Sequence, residues 1–275
     1  MKKILFVAAA AAMLAMTACG EGGSAVVTAP AKETEAKAAE VKETEAKAPE
    51  LNTVEKGKLV MVTNAEFEPW EYMEGGKIIG IDAEIAEAIA GKLGLTLEIE
   101  NTAFDSIIPE LASGKGDIGI AGMTVTEDRK QNVDFTQTYA KAAQVIIVPE
   151  AADVKGLADL KDMKIGVAQG FTGDLLATEE FGDDHIERYM KGMEAVQALS
   201  QGKIDAVIID SQPAKAYVKQ VSGLKIVDDN ISSEEYAMAV KKGNKELLEA
   251  VDKAITELKE DGTIDKIMDK YIPAE

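Results

Sequence analysis

The sequence predicts an α/β fold built as two lobes of similar construction, and two observations carry that expectation. Short apolar runs that read as buried strands alternate with helical patterns along most of the chain, which indicates sheets of mostly parallel strands. One stretch also echoes another: ELASGKGDIGIAG (110–122) aligns without a gap on ALSQGKIDAVIID (198–210). Leu111, Gly114, Lys115 and Asp117 match Leu199, Gly202, Lys203 and Asp205. Both copies read as a helix end, a Gly-Lys turn, an aspartate and a buried strand. Glycine and aspartate suit any such turn, so repeated construction is one of two readings of the echo.

The elements come in order along the chain. Lys2 and Lys3 precede a short apolar run, Ile4 to Ala18, well below the roughly 20 residues of a spanning helix. The run ends in LAMTACG, with small residues before Cys19, the chain's single cysteine. This resembles the lipobox of bacterial lipoprotein signals, with Met16 where that pattern usually has leucine; a plain secretory leader is the alternative. The resemblance makes residues 1–18 a signal and Cys19 a lipidated N-terminus. Residues 19–53 read as a solvated tether. KETEAKA occurs twice in it, at 32–38 and 42–48, and too few apolar side chains are present to offset the entropy of ordering.

The folded body starts near Val54. KLVMVT (58–63) reads as a buried strand, GIDAEIAEAIAGKLG (80–94) as an amphipathic helix with Ile81, Ile85, Ile89 and Leu93 four apart, stopped by Gly94. LTLEIE (95–100) alternates as a strand does, FDSIIPELASGK is helical and DIGIAG is a strand. The alternation continues through VIIVPE, GLADLKD, KIGVA, GDLLATEEF, MEAVQALSQGK, DAVIID, QPAKAYVKQV, LKIVDD and YAMAVKK. Two helices close the chain, about 245–258 and 263–271.

Composition narrows the function. The formal charge is −19, and −21 from Cys19 onward once the two leader lysines are set aside. A surface so acidic repels a nucleic-acid backbone and an anionic membrane alike. The one histidine, His185, is expected to lie away from the strand ends, and lipidation would consume the one thiol, so no Ser-His-Asp set or metal cluster is expected. No cofactor is expected.

In open α/β sheets, ligands sit beyond the carboxyl ends of the strands, which directs attention to the residues just past the two echoed strands. After the first comes AGMTVTEDR (121–129). Ala121 and Gly122 let a ligand approach the backbone, Thr124 and Thr126 offer hydroxyls, and Thr126 reads as the N-cap of a helix start that favours an anion. Arg129 is one of only two arginines among twenty-eight lysines. A guanidinium presents a planar fork to a carboxylate, whereas an ammonium is a point charge. The competing reading is a surface arginine paired with Glu127, Asp128 or Asp134. After the second strand, Asp210 reads either as an acceptor for an ammonium group or as a helix N-cap with Pro213 in the first turn. AQGFTGD (168–174) forms a third turn, with Gly170, Phe171, Thr172 and Gly173 between a strand and a helix. NAEFEPWEY (64–72) and Phe104 place aromatics at strand mouths, as a pocket wall or as ordinary core.

These stretches together resemble the bacterial extracellular solute-binding proteins of family 3, the polar amino-acid receptors of ABC importers. TNAEFEPWEY, GKIIGIDAEIAEAIAGKLG, FDSIIPELASGKGDIGIAGMTVTEDRKQNVDFT, GVAQGFTGD and IDAVIID carry the likeness over about residues 54–274. It implies a two-lobed periplasmic-binding-protein-like fold: two open sheets flanked by helices and joined by two hinge crossings, near Tyr139–Ala143 and Glu235–Ala239. Lobe 1 would be 54–140 with 238–275, and lobe 2 would be 141–237. The resemblance makes Arg129 the partner of an amino acid's α-carboxylate, helped by Thr124 and by the backbone of Gly122 and Thr172. Asp210 would take the α-amino group, Phe67 and Phe104 would flank the ligand, and Asn64 would face its side chain. Ala168 and Phe171 stand where relatives often carry polar residues. Asn64 stands where several relatives that bind cationic ligands carry aspartate, with Glu66 close by to compensate. The expected partners are a free amino acid and the permease and ATPase of an importer, at the outer face of the cell membrane. A ligand-presenting sensor, or an enzyme like the cyclohexadienyl dehydratases that share this fold, are the alternatives.

Overall fold

The computed structural model describes residues 51–272; the leader, Cys19 and nearly all of the expected tether lie outside them. The chain opens with β1 (Lys58–Thr63), then a small sheet of β2 (Glu66–Phe67), β3 (Glu71–Glu74) and β4 (Lys77–Ile79). Next come α1 (Ile81–Leu93), β5 (Thr96–Asn101), α2 (Phe104–Ser113), β6 (Ile118–Gly119), α3 (Glu127–Lys130) and β7 (Val133–Ala142). The chain then passes through β8 (Gln144–Pro149), β9 (Ile165–Ala168), α4 (Thr172–Phe181), β10 (Ile186–Tyr189), α5 (Gly192–Ser200), β11 (Ala206–Asp210), α6 (Ser211–Gln220) and β12 (Leu224–Ile226). It returns along β13 (Glu234–Lys241) and ends in α7 (Lys245–Glu260) and α8 (Thr263–Tyr271).

Two five-stranded sheets result, ordered β5-β1-β6-β13-β7 and β10-β9-β11-β8-β12. They are built alike. In each, four strands run in one direction and one strand runs against its neighbours, and that strand is the one that has just arrived from the other sheet. β8 comes after β7 and enters the second sheet, and β13 comes after β12 and enters the first. The two crossings are the β7–β8 connection, at residue 143 and within the expected Tyr139–Ala143, and the β12–β13 connection, residues 227–233; the second lies ahead of the expected Glu235–Ala239, which pair with β7 as part of β13. β7 and β13 pair over most of their length, with register shifts between Tyr236 and Ala239; extra residues of this kind bend a ladder locally.

The internal echo has a structural cause. Gly114 and Gly202 end α2 and α5 in the left-handed region, at φ 76° and 68°. The aspartate three positions on clamps the neighbouring strand from both sides. Asp117 N–H donates to Val60 O at 2.8 Å, and Val60 N–H returns a bond to Asp117 Oδ2 at 2.8 Å. Asp205 does the same with Lys164, at 2.8 Å each way. The repeated motif thus fixes where the central strand of each lobe begins, and so where its carboxyl end opens.

α1 forms as its spacing predicts. Ile81, Ile85 and Ile89 are fully buried, and Gly94 caps the helix in the left-handed region. Gly80, at φ 125°, leaves no room for a side chain, since a Cβ there would collide with Trp70 O. GLADLKD is a single 3-10 turn (Leu157–Leu160) in which only Leu160 is buried, too little apolar surface to support a longer helix. The β2–β4 hairpins, β7 and β10 carry mixed polar sequences and are revealed by the structure alone. Leu51 packs on the main core and Asn52 O accepts from Asn244 Nδ2 at 3.2 Å, so ordered packing already includes residues just ahead of Val54.

Candidate ligand-binding site

The turns singled out in the sequence meet between the two sheets. Thr126 caps α3, its Oγ1 accepting from Arg129 N–H at 3.2 Å, and so holds Arg129 one turn into the helix. Arg129 is 8% exposed, which removes the surface-arginine reading. Its Nη1 donates to Thr124 O at 2.7 Å within the same turn, and its Nη2 reaches Gly170 O of the facing turn at 3.0 Å. The guanidinium carbon stands 5.1 Å from the centre of the Phe104 ring. Burial pulls its pKa down to about 10, while Glu234 and Asp210 hold it up, so it remains charged at neutral pH.

Asp210 ends β11 and occupies the N-cap position of α6, yet its side chain makes no capping bond. It is 3% exposed and accepts a short hydrogen bond from Tyr236 Oη. Burial, reinforced by Glu234, pushes its pKa up to about 7, against the bonds from Tyr236 and Gln144. A buried carboxyl poised near neutrality in this position suits a cationic partner.

The third turn precedes α4. Gly170 lies at φ 78°, and its N–H donates to Asp174 Oδ2 at 3.0 Å. The second arginine, Arg188, holds Asp174 (Nε to Oδ1, 2.9 Å) and Asp183 (Nη1 to Oδ1, 2.7 Å). Its role is therefore to brace this turn. A Cβ at Gly173 would stand 2.8 Å from Gln144 Oε1 and 3.0 Å from Ile208 O. Phe171 spans the gap between lobes, stacked on Phe104 (centroids 4.0 Å, 30°) and tilted against Phe67 (5.1 Å).

The remaining expected residues divide. Ala121 is fully buried. The N–H of Gly122, expected to help hold a carboxylate, instead donates to Asp82 Oδ2 at 2.7 Å, so that donor is spent inside the lobe. Gly122 itself, at φ 50°, makes room for the Phe67 ring, 2.9 Å from where a Cβ would be. Asn64 is 7% exposed, with Nδ2 committed to Thr102 O at 2.8 Å. Glu66 is taken by Lys191 across the cleft at 2.6 Å, which removes it as a compensating charge for a cationic ligand. Trp70 packs on Tyr236 (5.0 Å) and Tyr139 (6.3 Å) as core. His185 sits at the amino end of β10, its Nδ1 3.2 Å from Met163 O, at the opposite end of the sheet from the site.

Three acids escape the sequence reading. Glu234 accepts from Thr124 Oγ1 at 2.5 Å and Thr172 Oγ1 at 2.8 Å. Its signal is strand alternation: Glu234 and Tyr236 share a face two residues apart, and that face turns inward. Glu71 and Asp82 are both fully buried, and Asp82 Oδ2 also accepts from Tyr139 Oη at 3.0 Å. Burial and the neighbouring Asp82 push Glu71 well above the usual carboxylate range, and burial pushes Asp82 up to about 6. Two adjacent buried carboxyls share a proton rather than both ionise. Among the described residues, no cluster of three or more His, Cys, Asp or Glu is placed to hold a metal ion, and no helix is long and apolar enough to cross a membrane.

Comparison with known proteins agrees with this architecture. The family model for bacterial extracellular solute-binding proteins, family 3, matches residues 59–274. A probable histidine-binding protein of Neisseria gonorrhoeae is 33% identical over 283 residues, covering 100% of this chain and 97% of that one. The arginine-binding extracellular protein ArtP of Bacillus subtilis is 33% identical over 226 residues, covering 80% and 88%. The structure of an ancestral arginine-binding protein bound to glutamine superposes with a TM-score of 0.76 at 44% identity, covering 80% of this chain and 100% of that one. With its two-crossing fold and its facing charged turns, the chain belongs to the bacterial extracellular solute-binding proteins of family 3.

Proposed function

We propose that this chain binds a free polar amino acid between its lobes and delivers it to the permease of an ABC importer. The observation that carries the reading is the placement of Arg129 and Asp210. They are opposite charges, both buried, and they lie on turns that face one another from two sheets. They match the two ends of a zwitterion. Arg129 takes the α-carboxylate and Asp210 the α-ammonium. Thr124 and Thr172 border the carboxylate end, with Ala121 and Gly122 beneath, and Phe67, Phe104 and Phe171 wall the side-chain end beside Asn64. Ligand bridging the turns draws 54–140 with 238–275 toward 141–237 by rotation about the two crossings, and water leaves the site. Exclusion of water strengthens both charge contacts.

Named relatives are binding proteins for histidine and arginine, and the ancestral relative holds glutamine; this supports a polar amino acid as the ligand class. The named relatives are transport binding proteins, which favours binding and release over turnover as the role of this site. A lipid on Cys19 and the tether behind it would keep the lobes near the permease at the outer membrane face. A thermal-shift screen against the twenty amino acids and cystine tests the reading, because a ligand at about a hundred times its Kd adds roughly 2.7 kcal/mol of stability. No shift with any of them, confirmed by calorimetry, refutes it.

A further inference from the structure

The two crossings are stitched together by a closed ring of hydrogen bonds at the site. Gln144, at the end of the first crossing, donates its backbone N–H to Ser232 Oγ at 2.9 Å and its Nε2 to Thr172 Oγ1 at 3.1 Å. Each of those hydroxyls passes its own proton to Glu234: Ser232 to Oε1 at 3.0 Å and Thr172 to Oε2 at 2.8 Å. Thr124, from the facing lobe, adds a third donor to Oε2 at 2.5 Å. Glu234 is 8% exposed and lies on the second crossing, at the first residue of β13.

We infer that Glu234 is a positioning residue that latches the lobes around the ligand. A hydroxyl has one proton, so Thr124 and Thr172, having given theirs to Glu234, have none left to donate elsewhere. In this arrangement their side chains serve closure, and the ligand's carboxylate is left to Arg129 and to backbone N–H groups of the turns other than those of Gly122 and Gly170, which are spent on Asp82 and Asp174. One carboxylate oxygen collects a donor from each lobe, so its bonds are complete only when the Thr124 and Thr172 turns meet. The ring through Gln144 and Ser232 fixes the Glu234 carboxylate independently of the ligand, Ser232 holding Oε1 and Thr172 holding Oε2. A group that completes its bonds on closing stabilises the closed complex and acts on dissociation more than on encounter.

This inference rests on the proposed amino-acid site, and stopped-flow kinetics on the full chain, with whichever amino acid the screen selects, separates the two. Wild type that binds no amino acid overturns the site and this latch with it. If wild type binds, Glu234→Ala is expected to raise koff by about tenfold or more while kon stays within about threefold, because the latch forms after encounter. Glu234→Gln, which keeps one acceptor oxygen, is expected to fall between the two. A second arm uses the shared oxygen. Thr124→Val and Thr172→Val together should raise koff by less than the product of their separate effects, and by the full product in a Glu234→Ala background. Unchanged koff in Glu234→Ala, an equal loss in kon, or the same coupling in both backgrounds overturns the latch while leaving the site standing. Should Glu234→Ala fail to fold by thermal melting, the isosteric Glu234→Gln decides: koff equal to wild type overturns the inference, and faster koff with unchanged kon upholds it.

Discussion

Asp210 gives the site a pH dependence that can be worked out in advance. The group is fully buried, and burial places its pKa at about 7. The proposed role of Asp210 as ammonium acceptor requires the carboxylate form. Above about pH 7 the form that binds is already present, and affinity is at its plateau. Below it, each unit of pH leaves a tenfold smaller fraction ionised, and expelling the proton costs about 1.4 kcal/mol per unit. Between about pH 8 and about pH 5 the affinity should therefore fall roughly a hundredfold. Isothermal titration calorimetry across this range, in two buffers of different protonation enthalpy, would show both the loss of affinity and the uptake or release of the proton. Asp210→Asn supplies the control: weak binding throughout, with most of the slope gone. The control matters because Asp82 also titrates near this range, at about 6, and touches the Gly122 turn. A flat wild-type profile, or an unchanged slope in Asp210→Asn, would refute the assignment of the ammonium to Asp210.

Other expectations rest on the same geometry. Arg129→Lys keeps the charge but loses the fork that spans Thr124 O and Gly170 O, and it should weaken binding by about tenfold or more in calorimetry; equal affinity would dismiss the carboxylate clamp. Glu71 and Asp82 hold protons in the folded state that the unfolded chain releases at ordinary carboxylate values. Their stabilising contribution is thus full at low pH and is lost as pH rises through about 6 and beyond. Glu71→Gln gives Asp82 a permanent donor and should flatten the decline in thermal midpoint from about pH 6 to about pH 9 expected of the ligand-free wild type; a parallel decline in both proteins would count against the shared proton. Gly122→Ala forces a Cβ to 2.9 Å from the Phe67 ring at positive φ, and chemical denaturation should show a loss of about 1–3 kcal/mol. No loss would mean that the turn relaxes freely.

Much of this protein is legible in local sequence, because local sequence carries periodicity and turn chemistry. Isoleucines four apart and a terminal glycine specify α1 without reference to anything distant. The echoed Gly-Lys-x-Asp unit marks the start of the central strand in each sheet, since an aspartate clamp and a left-handed glycine are short-range devices. The rarity of arginine in a lysine-rich chain draws attention to Arg129 and Arg188 alike, and only the fold separates the arginine buried between the sheets from the one that braces the Gly170 turn. Tertiary structure decides what depends on which elements meet. That Glu66 is spent on Lys191, that Gly122 N–H serves Asp82, and that Phe171 stacks on Phe104 are contacts between residues roughly 40 or more positions apart, and no window of sequence contains both partners. Glu234 is the clearest case. In sequence it is one of two adjacent glutamates ahead of a strand. Folded, it gathers hydroxyls from residues 62 and 110 positions away onto one carboxylate, because the second crossing returns the chain between the two turns that the first crossing had separated.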